Sequence, residues 1–203
     1  MAGSDSYRTI KGPGEIEIKI KGSRFLGQVL SCTDPEEAES LLAAVRKKYY
    51  DATHHCFAYR VGIGNEQKFR YSDAGEPSGT AGKPIYDRIE GNELTNIIVI
   101  VTRYFGGTKL GTGGLTHAYS ETAAEAIKKA GTIEQYLMEQ FSLTVPYPDY
   151  NIIERLIHKH EGKILERGMK EQVPSLTVQM RISFISEFKA MAVDATSGRI
   201  KFE

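Results

Sequence analysis

Ile97-Ile98-Val99-Ile100-Val101 is the longest run of β-branched apolar residues in the chain, and it decides how the first half folds. Branched side chains of this kind favour extended backbone, and the run is far too short to cross a membrane. Because the apolar residues are continuous rather than alternating, both faces of the strand should be buried. We therefore predict a central strand over residues 96–105 of a sheet covered on both sides.

The residues before this strand predict the rest of the sheet and one helix. Residues 15–21 and 24–31 alternate in polarity on either side of Gly22 and Ser23, which is typical of a hairpin. Asp34 can cap a helix whose first position is Pro35, and Glu37 stands where a capping box needs an acid. Further elements are predicted as strands at 54–61 and 67–72, a short helix from about Pro84 to Gly91, and a helix at 115–130.

After about Gly131 a second series of elements begins. The pattern predicts, in order, a strand at 137–145, a helix at 150–159, strands at 162–168 and 175–183, a helix at 187–195 and a strand at 198–202. The order β-α-β-β-α-β is that of the ferredoxin-like arrangement. We therefore expect an α+β protein with two domains, residues 1–133 and 134–203.

Composition excludes several classes of protein. The chain has 203 residues, with 26 lysines and arginines balanced by 26 aspartates and glutamates, and neither half is basic. Bulk charge therefore argues against a nucleic-acid module, so any phosphate contact must come from a local patch. Two cysteines form no disulfide framework, residues 1–7 show no signal pattern and no apolar segment is long enough for a membrane. We expect a cytoplasmic protein without a membrane partner.

Two glycine-rich segments carry the information about function. The first is Tyr71-Ser72-Asp73-Ala74-Gly75-Glu76-Pro77-Ser78-Gly79-Thr80-Ala81-Gly82-Lys83-Pro84, and the second is Arg103-Tyr104-Phe105-Gly106-Gly107-Thr108-Lys109-Leu110-Gly111-Thr112-Gly113-Gly114. Each leads into a predicted helix, where free backbone amides attract anions and glycine lets a ligand approach closely. The alternative is that these glycines only make turns and close packing. Neither segment matches the Walker A or dinucleotide patterns.

We predict that an anion, RNA or a protein partner binds at these loops. The candidate binding residues are Arg24, His54, Asp73, Glu76, Gly79, Gly82, Lys83, Arg103, Gly106, Gly107, Lys109, Gly111, Gly113 and Gly114. The cations would meet phosphates or acidic groups, and the two carboxylates would orient the cations. Nearby aromatic residues such as Tyr71, Tyr104, Phe105 and Tyr119 could stack on bases, contact a protein or simply pack in the core.

Metal binding and catalysis have weaker support. His54 and Cys56 share one face of a predicted strand while His55 faces the other way, and no second cluster completes a tetrahedral site. Carboxylates beside glycines more often make turns than catalyse, and no nucleophile motif occurs. We therefore expect no catalytic residues, no metal and no cofactor.

The same segments carry a family resemblance. Lys21-Gly22-Ser23-Arg24-Phe25, His54-His55-Cys56 and both glycine-rich segments resemble the signature of the IMPACT family, over residues from about 15 to 131. The remainder looks like the smaller C-terminal domain of the bacterial YigZ branch. The resemblance implies a first domain like the second domain of a small-subunit ribosomal protein and like domain IV of elongation factor G. It also implies a ferredoxin-like second domain.

The resemblance implies a translation-linked binding or regulatory protein that contacts RNA, the ribosome or a translation factor. Eukaryotic relatives restrain a kinase that acts on an initiation factor, and they carry an extra N-terminal interaction domain that we do not expect in this chain. The alternative is an enzyme for a small phosphorylated ligand or nucleotide, since sugar kinases of the galactokinase type share the first fold. Fold analogy alone is a weak reason to expect activity.

Overall fold

The structure is a computed structural model, and it describes residues 5–203. The expectation for the first four residues therefore lies outside the described part of the chain. Two compact units are present, one formed by Tyr7–Gln135 and one formed by Tyr136–Glu203 with residues 5 and 6.

Besides a 3-10 turn at Gly64–Glu66, the first unit contains seven strands and three α-helices. They are β1 (Ser6–Ile10), β2 (Gly14–Ile20), β3 (Ser23–Ser31), α1 (Pro35–Lys48), β4 (His54–Val61), β5 (Lys68–Ser72), α2 (Gly82–Gly91), β6 (Ile97–Tyr104), α3 (Gly111–Ala130) and β7 (Thr132–Tyr136), with the strands β1 and β7 reaching the unit's boundary. Five strands form an antiparallel sheet in the order β2-β3-β6-β4-β5.

The apolar run lies in β6, the middle strand, and all of Ile97–Val101 is buried. Ile97, Val99 and Val101 belong to the core formed with α2 and α3, whereas Ile98 and Ile100 belong to the core formed with α1. The prediction of a central strand buried on both faces is confirmed. The physical reason is that alternate side chains of one strand serve opposite helical layers.

The start of α1 follows its sequence signals closely. Asp34 accepts a hydrogen bond from the amide of Glu37 at 2.8 Å, and Pro35 occupies the first turn. The carboxylate of Glu37 in turn accepts a bond from the amide of Thr33, also at 2.8 Å, one residue before the cap. The predicted cap is confirmed, with the reciprocal bond displaced by one position.

The start of α3 differs from the prediction. The helix begins at Gly111 rather than at residue 115, so Gly111, Gly113 and Gly114 lie in its first turn and not in the preceding loop. Glycine has a low helix propensity, but the buried Leu115, Ala118 and Tyr119 that follow hold the helix against the sheet. Tertiary packing thus extends the helix beyond its local signal. The sequence also failed to predict β1 and β7, which pair with each other as a two-stranded sheet.

The second unit has four strands and two helices in the order β-α-β-β-α-β. They are β8 (Met138–Thr144), α4 (Tyr147–Lys159), β9 (Lys163–Lys170), β10 (Val173–Arg181), α5 (Ile182–Ala195) and β11 (Lys201–Phe202). The sheet is antiparallel, in the order β11-β8-β10-β9, and one face packs with α4 and α5 in a single core. The element order is confirmed, although α4 and α5 begin earlier than predicted.

A short N-terminal segment belongs to this second unit. Asp5 accepts two hydrogen bonds from the guanidinium of Arg181, at 2.9 and 3.2 Å, and one from the Ser183 hydroxyl at 2.6 Å. The hydrogen bonds from Arg181 and Ser183 hold the pKa of the Asp5 carboxyl well below its usual range. No helix within residues 5–203 is both long and apolar enough to cross a membrane.

Candidate functional site

The two glycine loops lie side by side around one open cavity of about 350 Å³. We call it the two-loop cavity. The first loop contributes Glu76 and Pro77, and β6, the second loop and the start of α3 contribute the rest of its wall: Arg103, Phe105, Lys109, Leu110, Gly111, Thr112 and Leu115. Segments about thirty residues apart in the sequence therefore form one surface feature, as expected if both loops leave the same end of the sheet.

A buried ionic and hydroxyl cluster borders the cavity. One carboxylate oxygen of Glu76 accepts hydrogen bonds from Arg103 Nη1 at 2.6 Å and from the Tyr119 hydroxyl at 2.7 Å. The side chains of Glu76 and Arg103 are 4% and 6% exposed, so each charge depends on the other. Burial raises the pKa of the Tyr119 phenol, which therefore remains a donor. The cluster ties the first loop to β6 and α3.

His54 and Cys56 anchor the first loop. His54 Nδ1 lies 3.0 Å from the Ala74 carbonyl, and the Cys56 thiol donates to the Asp73 carbonyl at 2.9 Å. His55 instead approaches the Thr102 hydroxyl, 3.2 Å away, as strand alternation predicts. Burial raises the pKa of the Cys56 thiol to about 12, which keeps it protonated and a poor nucleophile.

Metal-ligand chemistry gains no support from the geometry. Within residues 5–203, no group of three or more histidine, cysteine, aspartate or glutamate side chains is arranged to hold a metal ion.

The first loop is closed by its own carboxylate. Asp73 accepts hydrogen bonds from the amides of Gly79 at 2.9 Å, Ala81 at 2.9 Å and Gly82 at 2.8 Å. The last two amides belong to the N-cap and the first residue of α2, so a carboxylate of the chain already occupies the anion position at this helix start. Asp73 therefore organises backbone rather than orienting a cation. A side chain at Gly82 would approach the Ser72 backbone to 2.7 Å, so this glycine is required for packing.

The second loop leaves its helix start open. The first turn of α3 has no side-chain cap and no acidic residue. Lys109 is exposed beside this turn, and it forms no ion pair with any residue in the described range 5–203. Phe105, 48% exposed, lies at the same cavity. The arrangement can receive an anionic group that is joined to a flat or apolar one.

Most of the expected cations are already neutralised. Arg24 binds Glu17 across the hairpin at 3.0 and 3.2 Å, and Lys83 pairs with Asp87 one helical turn away. Arg103 is paired with Glu76, as described above. The cavity is therefore less cationic than the sequence suggested. Of the arginines and lysines predicted to bind, Lys109 is the one that forms no ion pair within residues 5–203.

Some of the remaining glycines are needed for close packing, and others border open space. A side chain at Gly106 would overlap the Gly22 carbonyl carbon, at 1.9 Å, so Gly106 packs directly against the β2–β3 turn. Gly107 has φ of +84°, and no atom lies within 4 Å of the position that a Cβ would occupy there. Gly113 is equally open, but it lines a different cavity, next to Arg88 and His117. Gly106 thus serves packing, while the space around Gly107 and Gly113 is free for a ligand.

Of the four aromatic residues near the loops in sequence, only Phe105 lines the two-loop cavity. Tyr119 is fully buried, and the hydroxyl of Tyr104 donates to Asp51 at 2.8 Å. Tyr71 joins a separate cluster with Phe69 and Tyr86. Sequence reasoning missed the Tyr119–Glu76 bond, because it treated this tyrosine only as part of a helical apolar stripe.

The fold and the site define a mixed α/β protein. Its central sheet is buried between helices, and the two glycine loops that leave this sheet line one cavity. The Impact N-terminal domain matches residues 21–127, more than half of the chain. The chain belongs to the IMPACT family.

Relatives extend the similarity over nearly the whole chain. The IMPACT family member YigZ of Escherichia coli is 32% identical over 97% of this chain and 97% of its own length. YvyE of Bacillus subtilis is 36% identical, over 83% of this chain and 77% of its own. A crystal structure described as an hypothetical protein is 31% identical, covers 98% of this chain and 96% of its own, and superposes with a TM-score of 0.70.

Proposed function

We propose that this chain is a translation-linked regulatory or binding protein, whose two glycine loops contact RNA, the ribosome or a protein partner. Family membership and the expectations that follow from it support the link to translation. The observation that carries the proposal is the two-loop cavity, where an uncapped helix start, a lysine without an ion pair and an exposed phenylalanine border one opening.

The chemistry of the cavity indicates what the partner presents. Lys109 and the amides at the start of α3 favour a phosphate or carboxylate, because helix starts carry partial positive charge. Phe105 favours a base or an apolar side chain beside that anion. Glu76 does not repel the ligand strongly, since Arg103 and Tyr119 occupy its carboxylate oxygen. A single exposed cation predicts binding that is moderately sensitive to salt.

The proposal is tested by exchanging one lysine. Lys109→Ala should lower co-sedimentation with ribosomes, or capture of RNA or protein from lysate, several-fold at low salt and leave the melting temperature unchanged. Lys129→Ala is the matched control, because Lys129 is an exposed lysine at the other end of the same helix. Equal binding by both variants would exclude the cavity as the contact.

A second experiment separates RNA from protein partners. Phe105→Ala should weaken binding in either case, but nuclease treatment of the lysate should abolish it only if the partner is RNA. Loss of binding at raised ionic strength should be steeper for RNA, because binding to phosphates releases counterions.

We also propose the finer fold assignments and the location. The order β8-α4-β9-β10-α5-β11, with the sheet order β11-β8-β10-β9, supports a ferredoxin-like second domain. The antiparallel five-stranded sheet between helical layers supports the likeness of the first domain to domain IV of elongation factor G and its ribosomal-protein relative. Two free buried cysteines support a cytoplasmic protein. The division into domains 1–133 and 134–203 likewise stays a proposal.

The size of the cavity favours one other candidate. A volume of about 350 Å³ falls in the range of small-ligand sites, so an enzyme or receptor for a small phosphorylated ligand or nucleotide also fits. A thermal-shift screen with such ligands separates the two candidates. Stabilisation by one ligand that is lost in Lys109→Ala would favour the small-ligand function. An unchanged melting temperature with every ligand would favour a macromolecular partner.

A further inference from the structure

Strand β9 of the second unit has an open edge. It pairs with β10 on one side and ends the sheet order β11-β8-β10-β9, and no strand within residues 5–203 covers its other side. Residues 165–170 are all exposed. Backbone donors and acceptors along such an edge are available to another strand.

The side chains of the last five residues of β9 alternate regularly. Arg167 and Met169 point to the face that carries α4, since Arg167 binds Glu154 at 2.5 Å and Met169 lies 3.5 Å from the Tyr147 hydroxyl. The alternating residues 166, 168 and 170 therefore point to the other face. The irregularity of the β9–β10 register lies before this stretch, at residue 165, so residues 166–170 form an unbroken template.

We propose that β9 pairs with β9 of a second copy of this chain, antiparallel, about a twofold axis at Gly168. This register places Glu166 of each copy opposite Lys170 of the other, so two pairs of opposite charges flank the axis. Gly168 has no side chain to obstruct the crossing point. A twofold interface of this kind uses the same surface on both copies and closes after two.

The charges on β9 favour a second copy of the chain as the partner, and they favour the register with the axis at Gly168. Glu166 forms no ion pair with any residue of the described range 5–203. Lys170 binds Glu203, the residue after the opposite edge strand β11, at 2.6 Å across the sheet, and on dimer formation this exposed lysine exchanges Glu203 for Glu166 of the second copy. Moving the register by two residues, so that the axis falls at Arg167, would place two guanidinium groups opposite each other. The charges of β9 are complementary to those of a second, antiparallel β9, which makes a second copy a suitable partner.

Apolar surface beside the strand supports the pairing. Met169 and Tyr147 are 55% and 67% exposed, and both line a shallow groove next to β9. Directly opposite residues of an antiparallel pair share one face, so the grooves of the two copies would lie on the same side of the joined sheet. Five paired residues bury little area, which predicts a reversible dimer that forms at micromolar concentration.

The test measures the association state of the full chain by sedimentation velocity over a micromolar dilution series. Glu166→Lys and Lys170→Glu each create two like-charge pairs across the seam, so each should raise the dissociation constant of the dimer roughly tenfold. The double variant E166K/K170E restores opposite charges and should restore the dimer. Glu139→Lys is the control, because Glu139 is exposed on β8, which β10 separates from β9 in the same sheet.

Three results would overturn the proposal: a wild-type chain that stays monomeric over the whole series, single variants that dimerise as the wild type does, or a double variant that fails to recover. The melting temperature of each variant is measured alongside, because Lys170→Glu also places a carboxylate beside Glu203. A single variant that melts like the wild type but no longer dimerises locates the effect at the interface.

Discussion

The segment that leads into α2 and the segment that leads into α3 are built from the same residue types: glycines, hydroxyl side chains and a lysine. In the first, Asp73 bonds to three amides and Lys83 pairs with Asp87, so the loop satisfies its own polar groups. In the second, the helix start has no cap and Lys109 projects beside it. The difference shows that a glycine-rich composition and a place just before a helix are not enough to make a loop an anion site. What matters is whether the chain already supplies the anion.

The largest expected effect comes from the cluster that both loops share. Glu76→Gln removes the charge that neutralises the buried Arg103, and the free energy of unfolding should fall by about 3–5 kcal/mol. Denaturant unfolding measures the loss. Glu17→Gln, which affects the exposed pair with Arg24, is the matched control and should leave the midpoint nearly unchanged. Similar losses in both variants would contradict the importance of burial.

A smaller loss is expected where the second loop packs on the β2–β3 turn. Gly106→Ala forces a methyl group into the Gly22 backbone, and the free energy of unfolding should fall by about 3 kcal/mol. The change is measured by the shift of the denaturation midpoint. A variant as stable as the wild type would mean that the two turns are not in close contact.

Removing the carboxylate that closes the first loop should cost less stability, and it should let this loop bind an external anion. Asp73→Ala removes the acceptor of three amides and should lower the free energy of unfolding by about 2 kcal/mol. Because the start of α2 then resembles that of α3, added sulfate should stabilise this variant more than the wild type. Thermal unfolding with and without sulfate measures both effects. Equal sulfate dependence in the two proteins would contradict the role given to Asp73.

The smallest expected change in the free energy of unfolding is an increase. Gly113 lies in the first turn of α3, and apart from its chain neighbours and its own helix backbone no atom would lie within 4 Å of an added methyl group. Gly113→Ala should therefore raise the free energy of unfolding by about 0.5–1 kcal/mol. The same variant should bind less tightly in the co-sedimentation assay if a ligand approaches this turn. Unchanged binding would place the ligand elsewhere along the loop.

Local signals were strong enough to predict most of the fold. The unbroken apolar run predicted β6, the Asp34-Pro35 pair predicted the start of α1, and the second series of elements has the predicted order. The start of α3 was missed because four residues of low helix propensity are held by packing further along. The strands β1 and β7 were missed because their pairing joins residues more than a hundred positions apart.

The structure brings the two glycine-rich segments named from the sequence to one cavity, and that they bind a ligand there stays a prediction. The sequence could not show which cations are free, because Glu17, Glu76 and Asp87 neutralise Arg24, Arg103 and Lys83 through contacts that depend on the folded backbone.

By itself, the sequence determined the buried central strand, the caps, the two series of elements and the family to which the chain belongs. These follow from periodicity and from residues close together along the chain, whose preferences act before any tertiary contact forms. Only the tertiary structure decided which glycine loop stays open and which lysine stays free. Hydrogen bonds and ion pairs act over a few ångströms, and only folding brings the partners that form them to that distance.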